Sequence, residues 1–270
     1  MSHPDRQFIG AIPEIYDRLM VPMLFEPYAE DLARRVVALS PSSVLETAAG
    51  TGVVTRAVVA GLPEHARCVA TDLNPAMLDR AAARQGDAGH VEWRAANALD
   101  LPFDDDTFDV VWCQFGVMFF DDRVAGCREA KRVLKPGGCF LFNVWDRIDK
   151  NDFAQATHVA LGRCFETDPP QFMARTPHGY HDAERIRADV LAAGYSTVEL
   201  TTLSATSRAD HPLTVATAFC QGTPLRREIE ARDPQGLDRV TCAVAEHLEK
   251  RCGLGPLQGA MSAHVVMAVA

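Results

Sequence analysis

Between Ser43 and Trp145 the chain alternates short apolar runs with stretches of helical period, the pattern of a parallel sheet covered by helices. Five strands are expected: Val44-Leu45, Cys68-Val69-Ala70, Val91-Glu92-Trp93, Val110 to Cys113, and Phe140-Leu141-Phe142 with Val144. The fourth is apolar at both alternations, which suits a central strand buried on two faces. Asn74-Pro75 offers an N-cap followed by Pro at the first helical position, so a helix is expected through Met77, Leu78 and Ala81 to Ala82. A second, Asp122 to Leu134, stops at Lys135-Pro136-Gly137-Gly138, where Pro136-Gly137 fits the centre of a type II turn. Only Ala96 to Asp106 separates strands three and four, too little for a covering helix.

Beyond Trp145 the pattern loosens. A helix from Asp182 to Ala193 is expected, with Ile186, Val190 and Leu191 on one face and Gly194 as its stop. Thr197 to Leu203, rich in β-branched residues, reads as a strand. A mainly helical stretch follows, broken by Pro212, Pro224, Pro234 and Pro256, before a final strand at Ala263 to Ala270. The domain reading is an N-terminal helical cover over 1–40, a core over 41–207 and 260–270, and a helical insertion over 208–259.

Composition narrows the class. The 270 residues are 47% hydrophobic and 23% charged, enough to bury a sizeable core and too apolar for a disordered chain. With 36 acidic against 27 basic residues the net charge is −9, which repels a phosphate backbone. The basic pairs Arg34-Arg35, Lys131-Arg132, Arg226-Arg227 and Lys250-Arg251 are scattered, so nucleic acid is not expected as a partner. The eight cysteines form no Cys-x-x-Cys pair and read as buried small hydrophobes of a reducing compartment. No apolar run approaches the roughly 18 residues that crossing a bilayer needs, and Met-Ser-His-Pro-Asp-Arg opens no leader. A cytoplasmic protein without a membrane partner is expected.

The most informative segment is Val44-Leu45-Glu46-Thr47-Ala48-Ala49-Gly50-Thr51-Gly52-Val53-Val54. A strand ends on an acidic residue, a loop of small residues lets a ligand touch the backbone, and a helix begins just beyond. A nucleotide-like cofactor at the carboxyl ends of the strands is the implied ligand. Asp72 lies 20 residues after Gly52 at the end of the second strand, where a carboxylate can accept from both hydroxyls of a ribose. A dinucleotide fingerprint fits poorly, because its third glycine position is Thr55.

These residues resemble the class I S-adenosylmethionine-dependent methyltransferases, in the broad group that includes the ubiquinone and menaquinone biosynthesis methyltransferases. The likeness rests on Glu46 to Gly52, Asp72-Leu73-Asn74-Pro75-Ala76-Met77-Leu78, Leu101-Pro102-Phe103 with Phe108-Asp109, and Glu129 to Gly138, and spans roughly 40 to 145. It implies an α/β, doubly wound, mostly parallel seven-stranded sheet with an antiparallel last strand. It also implies S-adenosylmethionine as cofactor, with S-adenosylhomocysteine as product. By resemblance Glu46, Ala48, Gly50 and Gly52 form the cofactor loop, with the glycines approaching the methionine moiety. Asp72 binds ribose and Leu73 and Met77 sandwich adenine. Asn97 accepts from the adenine amine, and the Ala98 or Leu99 N–H donates to a ring nitrogen. Gln114 and Phe115 pass close to the methionine amine and methyl group. Ala48 replaces a usual glycine and is expected to take an ordinary φ, and Asn97 replaces a common Asp.

In-line methyl transfer relies on alignment and exclusion of water, with a base needed only where the nucleophile carries a proton. The cover from Ile12 to Leu39 is expected over the cofactor, with Tyr16 near its methionine end. Phe172 to His181 occupies the stretch that shapes the acceptor pocket in such enzymes, and His178 or His181 is the candidate base. No metal is expected: these two histidines lack a third ligand, and Asp104-Asp105-Asp106 reads as a solvated turn. The helical insertion is either a lid over the acceptor or a subunit contact in a homodimer. Methyl transfer to a small molecule is the leading reading. A non-catalytic S-adenosylmethionine-binding or partner-binding protein is the second, and a nicotinamide oxidoreductase the third.

Overall fold

The computed structural model describes residues 4–86 and 90–270. Among the described residues there are seven strands: β1 (Ser43–Glu46), β2 (Arg67–Asp72), β3 (Val91–Ala95), β4 (Phe108–Gln114), β5 (Leu134–Trp145), β6 (Thr197–Ala209) and β7 (Leu257–Val269). They form one sheet in the order β3-β2-β1-β4-β5-β7-β6. The first five are parallel, with Val44 opposite both Cys68 and Val110. β7 runs against them: Ala270 N–H donates to Gly138 O at one end of the β5–β7 pair and Asp146 N–H to Ser262 O at the other. The expected doubly wound sheet with an antiparallel last strand is therefore present, and no helix interrupts residues 96–107.

Element boundaries differ where the pattern was weak. The helix ending at Val133 runs straight into β5 at Leu134. The pairing with β4 then steps from Phe108↔Leu134 to Val110↔Cys139, so Lys135 to Gly138 bulge out of the ladder with Gly137 at φ +78°. The expected turn exists as a bulge inside the strand rather than as a break before it. β6 runs on to Ala209 and β7 begins at Leu257, through segments that lack a clean apolar alternation. The late helix is Ala183–Ala192, capped by Asp182, which accepts from the Glu184 and Arg185 N–H groups. Its buried stripe holds Ile186 and Val190, but Leu191 is 48% exposed, contrary to expectation.

Two compact units account for the chain. The sheet unit comprises Glu26–Val144, Tyr180–Leu203 and Ala263–Ala270. Its core packs Leu32 and Val36 of the helix Glu26–Ala38 and Val54 and Val58 of the helix Val53–Val59 on Val44, Val110, Trp112 and Leu141. Burying each such aliphatic side chain contributes about 1.5–3 kcal/mol before entropy is set against it. At the opening end of β1 and β4, Asp109 Oδ2 accepts from the N–H and hydroxyl groups of Ser42 and Ser43, while its Oδ1 meets Lys135 Nζ at 2.7 Å.

The helical unit comprises the chain up to Phe25, Trp145–Gly179 and Ser204–Ser262. It packs the helices Asp152–Cys164, Pro212–Gln221 and Leu237–Cys252 together. Tyr16–Phe25 is a π-helix carrying Pro22, which has no N–H to give to a helical ladder. The segment before it is tied down by Asp5, whose carboxylate is 2.7 Å from Arg175 Nη2, itself 2.7 Å from Glu228. The eight cysteines are free; Cys68, Cys113, Cys127, Cys139 and Cys220 are buried as expected, but Cys242 and Cys252 are exposed on the long C-terminal helix. Among the described residues no helix is long and apolar enough to cross a membrane.

Candidate functional site

The strand order reverses between β1 and β4, and in open α/β sheets ligands bind at the carboxyl ends of the strands flanking such a point. The loop leaving β1 is pinned on both sides. Thr47 N–H donates to Trp112 O on β4, Ala49 N–H to Thr71 O on β2, and Gly50 N–H to Asp72 Oδ2 at 2.9 Å. Three of its residues are left-handed: Ala48 at φ +54°, Gly50 at +56° and Gly52 at +75°. The ordinary φ expected at Ala48 is thus corrected. The hydrogen bonds to its neighbours hold a residue that would otherwise avoid this region at a cost of about 1–2 kcal/mol.

The two glycines serve different ends. A Cβ on Gly50 would meet only the Met77 Cε tip at 3.8 Å, so the backbone there is open to close approach. A Cβ on Gly52 would lie 3.0 Å from the Trp93 ring and 3.1 Å from Ala81 Cβ, so its smallness serves helix-to-sheet packing. Between them Thr51 is 1% exposed, and its hydroxyl has no hydrogen-bond partner among the described residues. A buried hydroxyl of this kind is a group a ligand can satisfy.

Asp72 ends β2, 7% exposed, with Oδ2 on Gly50 N–H and Oδ1 accepting from Asn74 N–H at 2.8 Å. Burial pushes its carboxyl above the ordinary range, against the pull of those bonds. Asn74 takes the N-cap position of Pro75–Gln85, but its side chain turns to Asp72 instead of capping. Leu73 is 43% exposed while Met77 is buried, which leaves an apolar side chain open beside the acid. Asn97 Oδ1 accepts from Leu99 N–H at 3.1 Å in an Asx turn. Of the two backbone donors considered there, Ala98 is the one left by this turn.

Glu46 is buried behind the loop at 1% exposure, its Oε2 accepting the Thr55 hydroxyl proton. Thr55 occupies the place where a dinucleotide loop would carry glycine, and the structure gives it a job that glycine cannot do. Desolvation pushes the Glu46 carboxyl up to about 8, only partly offset by the Thr55 hydrogen bond.

After β4, Phe115 is buried at φ +51°, an unusual conformation for a bulky side chain. Asn143 on β5 holds it there. Its Oδ1 accepts the Phe115 N–H at 2.9 Å, its backbone O shares the same donor at 3.1 Å, and its Nδ2 donates to Gln114 Oε1 at 3.3 Å. The Phe115 ring meets Tyr28 edge-on at 5.3 Å. Gly116, at an ordinary φ of −103°, has no room for a Cβ, which would lie 2.6 Å from both Ala48 Cβ and Cys113 Sγ. Asn143 went unnoticed in the sequence, although its signal was there: one amide inside the apolar run from Phe140 to Val144.

In the helical unit five rings follow one another. Phe8 meets Tyr16 edge-on at 5.8 Å, Tyr16 stacks on Phe25 at 5.1 Å, Phe25 lies 6.0 Å from Trp145, and Trp145 6.0 Å from His178. His178 is 4% exposed, with Nδ1 2.8 Å from Asp146 O. A carbonyl only accepts, so Nδ1 carries the proton and Nε2 is the basic nitrogen. His181 lies in the sheet unit, half-buried, and its carbonyl accepts from His264 Nε2 at 2.9 Å.

Comparison with known proteins agrees with this cradle. A family model described as a methyltransferase domain matches residues 45–142. The chain is 32% identical over 172 residues to the ubiquinone/menaquinone biosynthesis C-methyltransferase UbiE of Idiomarina loihiensis, covering 58% of this chain and 67% of that one. It is 30% identical over 181 residues to a demethylmenaquinone methyltransferase of Clavibacter sepedonicus, covering 64% and 73%. The chain belongs to the class I S-adenosylmethionine-dependent methyltransferases. Among solved structures, the YcgJ protein of Bacillus subtilis superposes with a TM-score of 0.58 at 16% identity, covering 90% of this chain and 98% of that one, a likeness of fold.

The methyltransferase uses S-adenosylmethionine to methylate a small molecule. Its loop fits that cofactor on structural grounds: open backbone at Gly50, an unpartnered buried hydroxyl at Thr51, and a strand-end carboxylate at Asp72 beside exposed Leu73.

Proposed function

We propose that the acceptor is a planar aromatic compound bearing an ionisable hydroxyl or an activated ring carbon, and that His178 is the base that takes its proton. The observation that carries this is the row of rings from Phe8 through Tyr16, Phe25 and Trp145, ending on a histidine whose basic nitrogen is set by Asp146. Aromatic faces hold a planar ring by offset or edge contacts of about 0.5–1.5 kcal/mol each beyond area. The relatives named for ubiquinone and menaquinone biosynthesis support an aromatic acceptor.

On the cofactor side, Gly50 and Thr51 would lie along the methionine moiety and Asp72 would take the ribose hydroxyls. Leu73 and Met77 would flank adenine, with Asn97 and Ala98 at its edge and Gln114 and Phe115 toward the methyl group. S-adenosylmethionine, when bound there, would supply a methyl group from its cationic sulfur to the acceptor's electron pair, with S-adenosylhomocysteine as the leaving product. Asp146 O holds the His178 Nδ1–H, which makes Nε2 the basic nitrogen of this candidate base and would stabilise its imidazolium. The strained, doubly held loops after β1 and β4 keep ligand positions fixed, which is most of what such a transfer needs.

The charge of −9 supports a small-molecule partner over nucleic acid, and a cytoplasmic enzyme is the matching location. The segment 208–259 is read as a lid or a homodimer contact, and light scattering separates the two. The test of the main reading is twofold. Calorimetry should show S-adenosylmethionine binding that Asp72→Ala weakens at least tenfold. A panel of phenols and hydroquinones should then yield a methylated product whose kcat falls about 10²-fold in His178→Gln with cofactor affinity intact. Turnover of aliphatic amines alone, or full activity in His178→Gln, would overturn it.

A further inference from the structure

Two carboxyl groups end adjacent parallel strands, Glu46 on β1 and Asp72 on β2, and no salt bridge reaches either among the described residues. Burying acids without a cation is costly, and one route out is to keep a proton. Asp72 has two backbone N–H donors and an amide on its oxygens. Glu46, at 1% exposure, accepts from one hydroxyl, Thr55 Oγ1, and the Trp112 indole N–H also favours its anion, more weakly than Thr55 does. Every charged or titratable neighbour can be named. Asp72 on β2 disfavours the carboxylate, while Cys68 on β2 and Cys113 on β4, whose thiols are pushed up to about 12 by burial, are uncharged at neutral pH. Arg56 favours it from the helix Val53–Val59, but its Nη1 donates to Thr51 O at 2.7 Å, not to Glu46. Of the two acids, Glu46 is the one poised to be neutral in the free protein at neutral pH.

The loop that starts at the next residue is the cofactor cradle, and the cofactor is cationic at sulfur where its product is not. We propose that Glu46 is a charge sensor that releases its proton when S-adenosylmethionine binds and largely keeps it when S-adenosylhomocysteine binds, so that the protein favours cofactor over product. The inference rests on the cofactor placement above. A net positive ligand beside the buried carboxyl stabilises its anion; a neutral zwitterion does so less. By linkage, a group that loses a proton on binding makes affinity rise with pH. Affinity for S-adenosylmethionine is flat below the bound-state pKa, climbs toward the free-state value near 8, and levels above it. The neutral product shows little of this climb. A one-unit drop on binding corresponds to about a tenfold preference for the cofactor at high pH over low.

The experiment is calorimetric titration of the full chain with S-adenosylmethionine and, separately, S-adenosylhomocysteine at pH 7, in two buffers of different ionisation enthalpy. The expected result is release of a substantial fraction of one proton with the first ligand and distinctly less with the second. In Glu46→Gln this difference disappears, and the affinity ratio of the two ligands becomes independent of pH between 6.5 and 8.5. Thr55→Val keeps the carboxyl but removes its hydrogen bond, so its proton release should move to higher pH; this variant also serves if Glu46→Gln folds poorly. Equal proton counts for the two ligands, or an unchanged difference in Glu46→Gln, would overturn the charge sensor while leaving the cofactor site standing. No binding of either ligand by the intact chain overturns both.

Discussion

Ala48 and Gly116 face each other across the switch point, and their pairing can be measured. Gly116 sits at φ −103°, which any residue adopts, so glycine is there for space alone. The space is taken by Ala48: a Cβ on Gly116 would lie 2.6 Å from Ala48 Cβ and 2.6 Å from Cys113 Sγ. Gly116→Ala forces one of the two walls to move and should cost about 1–3 kcal/mol. Ala48→Gly acts in two directions. It relieves about 1–2 kcal/mol of left-handed strain at φ +54°. Against that stand about 0.4–1 kcal/mol of added unfolded-chain entropy and the loss of part of one methyl's burial. The single change should therefore lie within about 1 kcal/mol of the parent. In the double variant one of the two clashes is gone, so the pair should be more stable than the sum of its parts by about 1 kcal/mol or more.

Urea unfolding of the four proteins gives this coupling directly, provided the slope with denaturant stays constant across the set. Calorimetry with S-adenosylhomocysteine on the same samples asks whether the loop keeps its shape. Additive free energies would refute the contact argument, since the two residues would then not share a wall. A loss of more than 2 kcal/mol in Ala48→Gly alone would refute the strain argument.

The other glycines separate packing from binding. Gly52→Ala combines a left-handed φ with Trp93 and Ala81 at 3.0 and 3.1 Å, and should lower stability by about 2–4 kcal/mol. Gly50→Ala meets only the Met77 Cε tip at ordinary contact distance, 3.8 Å, and should cost about 1–2 kcal/mol through its left-handed φ while weakening cofactor binding more than Gly52→Ala does relative to its stability loss; the reverse ranking would reassign the two residues. Asp109→Asn tests the clasp at the other end of the sheet. Burial works to raise the Asp109 carboxyl, but Lys135 and the Ser42 and Ser43 donors hold it well below the usual range. A depressed pKa contributes stability above the unfolded value near 4 and loses it as pH falls through the folded value. The variant should be less stable by about 1–3 kcal/mol at pH 7, with the gap closing below pH 4. A gap that does not change with pH would remove the charge from the explanation.

What could be read in the chain was periodicity and punctuation. Strands whose faces alternate or are buried on both sides, such as Val110 to Cys113, announce themselves. So do the small residues of the β1 loop and the acid at the end of β2. β6 and β7 ran longer than expected because Ser204 to Ala209 and Leu257 to Ser262 carry no apolar period and are held by partners distant in sequence, such as Asn151 for Ser262. Ala48 gave no sign of its left-handed φ because alanine is common in every backbone region that avoids strain, and only three-dimensional bonds to β2 and β4 impose it. Phe115 is the same case, and its restraint, Asn143, is 28 residues away. The ring row was invisible for a further reason: Phe8, Tyr16, Phe25, Trp145 and His178 share no spacing, and only the fold lines them up.

Strain of this kind has a physical role in a transfer enzyme. Two non-glycine residues, Ala48 and Phe115, stand left-handed at the carboxyl ends of the two strands that flank the switch point. Each costs free energy that the fold must recover elsewhere, and each is over-determined by bonds from a neighbouring strand: Ala49 to Thr71 and Thr47 to Trp112 around one, Asn143 to the other. A relaxed loop could reach the same ligand atoms but would sample other shapes, and each alternative lowers the fraction of encounters in which carbon, sulfur and nucleophile align. For a transfer that depends on alignment, that fraction is a main lever the protein holds. The conformational cost at Ala48 is thus better explained as restriction of the loop than as an accident of packing, and at Phe115 the Asn143 bonds add the same restriction to the packing of its buried ring on Tyr28.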